Sequence, residues 1–151
     1  ENKLVPIKNI EDKKARELIS GIIDMKGLVL EHYELRLFSK LTKLLMAQVE
    51  ALNEFVSSTE PWVLAKNNDQ HKVNSDLHQI CSTCLHSFRL VSIYLTPIIP
   101  DLTSNIALFF NESPYESFSD IVIEADSITN YKHLMQRLDL KDIEAMADSN
   151  K

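Results

Sequence analysis

Cys81-Ser82-Thr83-Cys84 is the sharpest chemical motif in the chain. A Cys-x-x-Cys pair can hold zinc or cycle between dithiol and disulfide. Structural zinc needs four ligands, and no second Cys-x-x-Cys is present. His78 and His86 lie nearby, but a set of His78, Cys81 and Cys84 on one helix would need a ligand from elsewhere. Both cysteines fall on an apolar helical stripe, where a free thiol behaves as a small hydrophobe. Core packing is therefore the expectation, and no metal. The five histidines, His32, His71, His78, His86 and His133, match no His-Glu-x-x-His spacing. There is no Gly-x-Ser-x-Gly and no phosphate loop, and serines without a paired base make no triad. No catalytic residue is expected.

Trp62, the only tryptophan, is the other residue that could do chemistry. It sits in Asn53-Glu-Phe-Val-Ser-Ser-Thr-Glu-Pro61-Trp62-Val-Leu-Ala-Lys66, between two amphipathic helical patterns. An indole at such a corner either packs it or stands as a plate on which an unstacked base lies. Stacking stabilises by about 1–3 kcal/mol per base and needs no strongly basic surface. Specific RNA recognition targets loops whose bases splay out in this way. The bare sequence favours corner packing.

The elements that must position these residues are helical. Only two glycines occur in 151 residues, and tight hairpins and phosphate-cradling loops both need glycine, so a largely helical fold is favoured. A first helix starts near Glu11, with Ala15, Leu18, Ile19, Ile22 and Ile23 on one face, then Leu28 to Leu30; Gly27 weakens it, and a turn is expected at His32 to Leu35. The second carries Phe38, Leu41, Leu45, Val49, Leu52 and Val56, with Arg36, Lys40 and Lys43 on another face. Pro61 prevents its continuation. A polar loop at 66–70 leads to a third helix, whose buried side is expected to hold Val73, Leu77, Ile80, Cys81, Cys84, Leu85, Phe88, Val91 and Leu95. Pro97 and Pro100 end it, and a shorter helix holds Leu102, Ile106, Phe109 and Phe110. Residues 1–9 read as extended and polar. Residues 111–130 read as irregular, with Ile121-Val122-Ile123 a short strand or hairpin. A last helix follows Asp139, with Ile143 and Met146 inward.

The expected fold is all-α: a helical bundle over 1–111, with a tail over 112–151 that packs back on it. The net charge of −6 arises at the end of the chain. Residues 1–100 hold 12 Lys and Arg against 12 Asp and Glu, and residues 101–151 hold 4 against 10. No broad basic footprint exists, so any nucleic-acid contact must be local. No apolar run is long enough to span a membrane, no signal peptide opens the chain, and two cysteines make no disulfide framework. A cytoplasmic location is expected.

Asn53-x-Phe55-Val56 followed by Pro61-Trp62-Val63-Leu64-Ala65-Lys66 resembles the anticodon-binding domain of methionyl-tRNA synthetase. The resemblance extends through Leu77-His-Gln-Ile-Cys81, Phe88-Arg89-Leu90 and Tyr94-Leu-Thr-Pro97-Ile-Ile-Pro100-Asp-Leu-Thr103. It closes on Leu134-Met-Gln-Arg137-Leu-Asp139 and Lys141 to Met146. It is strongest over 53–104. The family's domain is the class I helical bundle that reads the CAU anticodon of methionine tRNA. The resemblance implies that Trp62 stacks on the wobble cytosine, that Pro61 shapes the contact, and that Asn53 and Lys66 adjoin it. Asn53 then caps or supports a helix end, Lys66 approaches phosphate or covers apolar surface, and Arg89 anchors the bundle. The parent enzyme activates methionine with ATP and magnesium. This chain has neither HIGH-type nor KMSKS-type signature nor zinc knuckle, so catalysis and cofactors are expected in another domain of a longer enzyme. The family also uses an asparagine and an arginine on a helix expected upstream of Glu1. Two other readings are a helical protein-interaction module with Trp62 as its hot spot, and the equivalent domain of another class I synthetase. Pro61-Trp62 argues against the last.

Overall fold

The computed structural model describes residues 2–66 and 72–135. Helix α1 (Lys13–Asp24) begins where Asp12 caps it, its carboxylate accepting the Ala15 N–H at 2.7 Å. Ala15, Ile19 and Ile22 are buried along one face. The helix breaks at Met25, before Gly27, and α2 (Lys26–Glu34) follows. The break has an identifiable partner. The buried Tyr94 hydroxyl donates to the carbonyls of Ile22 at 2.9 Å and Ile23 at 3.3 Å, occupying acceptors of the helical ladder. Gly27 itself is helical. Of the three apolar residues after it, only Val29 is buried, while Leu28 and Leu30 are exposed.

The chain turns at Leu35 to Leu37, with Arg36 left-handed at φ 55°, into α3 (Phe38–Thr59). Leu41, Leu45 and Phe55 form its buried edge, and Phe38 starts it half exposed. The single turn α4 (Pro61–Leu64) follows. Next come α5 (Lys72–Leu95) and α6 (Pro100–Phe109).

Helix α5 is the axis of the fold, packing against α1, α3, α4, α6 and the later turn at 118–122. It does not bury the single apolar stripe expected of it. Cys81 and Phe88 are exposed, whereas Ser82, Thr83, His86, Ser87, Arg89 and Ser92 are buried beside Leu90, Ile93 and Tyr94. Small hydroxyl residues let neighbouring elements close in on several sides. Two of them are satisfied within the helix: Thr83 Oγ1 donates to the Gln79 carbonyl at 2.8 Å, and Ser92 Oγ to Phe88 at 2.7 Å. Arg89 anchors the bundle as expected. Its guanidinium donates twice to the Glu112 carboxylate, at 2.7 Å each, and once to the Asp120 carbonyl at 3.2 Å.

The opening residues are not a free polar extension. Leu4 and Ile10 are buried, and Ile7–Asn9 forms a short 3-10 turn. The segment is pinned between α5 and residues 124–128. Val5 N–H donates to Ser82 Oγ at 2.9 Å, and Leu4 N–H to the Asp126 carbonyl at 2.9 Å. The Ile121 region is not a strand either. Phe118–Val122 is a 3-10 turn, in which Asp120 accepts from the Glu116 and Ser117 N–H groups and Ser117 Oγ from Ser119. Only Ile121 of the three apolar residues is buried. Among the described residues there is no strand, only an isolated bridge between Lys3 and Ser127. The expected final helix with Ile143 and Met146, and the loop at 67–70, lie outside the described residues.

Candidate nucleic-acid interface

The last turn of α3 is tied down before the corner. Ser58 Oγ and Thr59 Oγ1 both donate to the Phe55 carbonyl, at 2.9 and 2.8 Å. Glu60 then takes φ 43° and ψ 56°, a left-handed backbone that ends α3, its N–H still bonded to Val56 at 3.1 Å. Pro61 opens α4 at a position that needs no N–H and suits its fixed φ. Val63 N–H closes on the Glu60 carbonyl at 2.8 Å, and Ala65 N–H on Pro61 at 2.9 Å. The corner is therefore a rigid double turn.

Its side chains divide. Pro61 and Leu64 are half buried, and α4 as a whole packs against α5. Trp62 is 49% exposed, and Val63 beside it is exposed too. The indole thus has one part seated and one part in water. Lys66 is exposed in the bend just after α4, its N–H bonded to Val63 at 3.2 Å. Pro61, Trp62 and Lys66 are brought together within this bend. Asn53 is not: it lies six residues before Thr59, about 9 Å of helical rise away, exposed on α3. It caps nothing, because α3 runs on past it, and its side chain makes no hydrogen bond among the described residues. It does align with Ser57 at i, i+4, both exposed, so a polar line runs along α3 towards the corner.

The left-handed backbone of Glu60 was not legible in the sequence. Its only sequence signal is that a helix ends at a proline without a glycine to turn it. The residue before proline ordinarily goes to extended backbone.

The Cys-x-x-Cys pair has a different setting. Partial burial of its thiol pushes Cys81 above its ordinary range although the residue as a whole is exposed, and burial together with neighbouring Cys81 pushes Cys84 up to about 11. Both are thiols at neutral pH, the unreactive form. The two nearby histidines face the opening segment instead: His78 Nε2 bonds the Lys3 carbonyl at 2.7 Å, and His86 Nε2 the Val5 carbonyl at 2.8 Å. Cys81 is exposed rather than packed in the core; Cys84 is half buried against it. No cluster of three potential metal ligands occurs among the described residues, and no helix among them is long and apolar enough to cross a membrane.

The chain as a whole is similar to known proteins. No family model matches the chain. It is 36% identical over 135 residues to a methionine–tRNA ligase of Methylibium petroleiphilum, a match covering 88% of this chain and 19% of that protein. A methionine–tRNA ligase of Cupriavidus metallidurans is 37% identical over 139 residues, 91% of this chain and 20% of its own. One from Neisseria meningitidis serogroup C is 30% identical over 143 residues, 94% and 20%. The chain spans about a fifth of the length of the curated relatives it matches. The crystal structure of the free methionyl-tRNA synthetase of Mycobacterium tuberculosis superimposes with a TM-score of 0.76 over 85% of this chain and 26% of that one. At 14% identity, that likeness carries the all-α fold.

Proposed function

We propose, from this chain's kinship with one segment of the methionine–tRNA ligases, that it is the anticodon-binding part of such an enzyme. It recognises the CAU anticodon of methionine tRNA, so that a catalytic domain elsewhere in the protein attaches methionine with ATP. The observation that carries this reading is the half-exposed indole of Trp62 on a rigid corner. A plate for a splayed base needs a free aromatic face and a fixed mount. Pro61 starts the turn that holds the mount, and α5 supports it from behind. Lys66 follows in the same bend, where a phosphate of the loop would pass. Asn53 stands further along α3, on the exposed line that leads into the corner.

Nothing in this reading asks the chain for catalysis. Its work is positional: binding energy gathered at the anticodon holds the tRNA so that its acceptor end meets the catalytic domain. Trp62 is the sole indole, so its fluorescence reports the site alone. Titration with a CAU stem-loop should quench it, and a loop altered at the first anticodon base should quench it less. Equal response to both loops would refute CAU recognition by this corner.

A further inference from the structure

Glu60 is the outlier at the corner. Its φ of 43° and ψ of 56° place a side-chain-bearing residue in the left-handed region, where glycine fits without crowding. The backbone is pinned there from both sides, by its N–H to Val56 and by its carbonyl to Val63. Two further features oppose a glutamate here. The free carbonyls at the end of α3 present partial negative charge to its carboxylate. The corner is also the one at which a polyanion would dock. The carboxylate makes no hydrogen bond or ion pair among the described residues, and it is exposed. The left-handed turn serves the corner, but it asks for no carboxylate, and an exposed acid without a partner there points to function.

We infer that Glu60 selects the base that stacks on Trp62. Its carboxylate accepts a hydrogen bond from the exocyclic amine of cytosine and repels the carbonyl oxygen that uracil carries at the same ring position. Only Pro61 separates Glu60 from Trp62, so their Cα atoms lie at most about 7 Å apart. A glutamate side chain is long enough to span that gap. Asn53 and Ser57, exposed on the last turns of α3, add polar groups before the corner. The inference rests on Trp62 being the stacking plate.

The test uses the whole chain and two stem-loops that differ only in cytosine or uracil at the first anticodon position, titrated at one low salt concentration. Wild-type protein should prefer cytosine about tenfold, the order that one hydrogen bond to a charged group supplies. Glu60→Gly keeps the left-handed backbone. It should melt no lower than wild type, yet bind the two loops nearly equally. Glu60→Gln, whose amide either accepts or donates, should take uracil nearly as well as cytosine. Full cytosine preference in folded Glu60→Gly, or none in wild type, overturns the inference. Trp62→Ala separates it from the reading beneath: weakened binding of both loops keeps the plate whatever Glu60 does. Unchanged binding in Trp62→Ala, or a wild-type chain that binds neither loop, removes the plate and the selection together.

Discussion

Replacing Trp62 with alanine removes the proposed plate, and the structure sets the size of both consequences. The residue is 49% exposed. A large aromatic buries about 150–250 Å² when fully covered, so roughly 100 Å² remains for a base to cover. At about 25 cal/mol per Å² this is worth about 2.5 kcal/mol, within the ~1–3 kcal/mol found for base–aromatic stacking. Binding of a CAU stem-loop should therefore fall by about 5- to 150-fold. The seated half of the indole is lost as well. The same area limits the loss of stability to about 2.5 kcal/mol, an upper figure because unfolded chains already bury some apolar surface. A fully exposed plate would carry almost no such loss, so half burial makes stability a necessary control. Urea unfolding followed by circular dichroism gives the stability term. Titration of a labelled stem-loop, where both proteins are fully folded, gives the binding term. Trp62→Phe keeps a smaller plate and should fall between. In a full-length ligase, aminoacylation should drop while methionine activation holds. Unchanged RNA affinity in folded Trp62→Ala, or equal loss of the two activities, refutes the reasoning.

Three other outcomes follow from named contacts. Burial holds His86 below its ordinary value, against the opposing pull of the Val5 carbonyl and of Glu124 and Glu112, with Arg89 acting in the same direction as burial. The unfolded chain then binds the proton more readily, so this contribution is complete above about pH 6.5 and is lost as pH falls below it. The urea midpoint should drop from pH 7.5 to 5.5 less in His86→Gln than in wild type, and equal drops would count against the assignment. Glu112→Ala strands the buried Arg89 guanidinium and should cost about 3–5 kcal/mol in urea unfolding. A loss near that of a surface pair would show that water reaches Arg89. Lys66→Gln should reduce the slope of log affinity against log salt by about 0.7–1, the mark of one phosphate contact. An unchanged slope would leave Lys66 as a cover for apolar surface.

The helices were legible because their apolar residues recur at helical spacing. Leu41 and Leu45 lie on the buried edge of α3, and Ala15, Ile19 and Ile22 on that of α1. What stayed hidden involved contacts distant in sequence. Nothing local reveals that Tyr94, some 70 residues on, takes the carbonyls at which α1 ends. The Ile121 triplet has a strand's composition, but Asp120 and Ser117 hold the backbone in a turn. The opening segment reads as polar, yet three side chains spaced by four on α5 reach its backbone: His78 to Lys3, Ser82 and His86 to Val5.

That last pattern explains why periodicity failed on the central helix. A hydrophobic count scores Ser82, Thr83 and Ser87 as solvent-facing, and Cys81 and Phe88 as core. A helix surrounded on several sides has little solvent face to give. The element that packs on a given side decides which residue is useful there. Against the opening segment, whose backbone offers unpaired N–H and C=O groups, a serine and two histidines serve better than leucine, since an unmatched buried amide costs more than a lost apolar contact. The Trp62 corner obeys the opposite logic. Its backbone groups are paired locally, with Glu60 bonded to Val56 and Val63, and Ala65 to Pro61. The corner's backbone therefore needs no outside partner, and the exposed part of Trp62 and the Glu60 carboxylate are left to the solvent side.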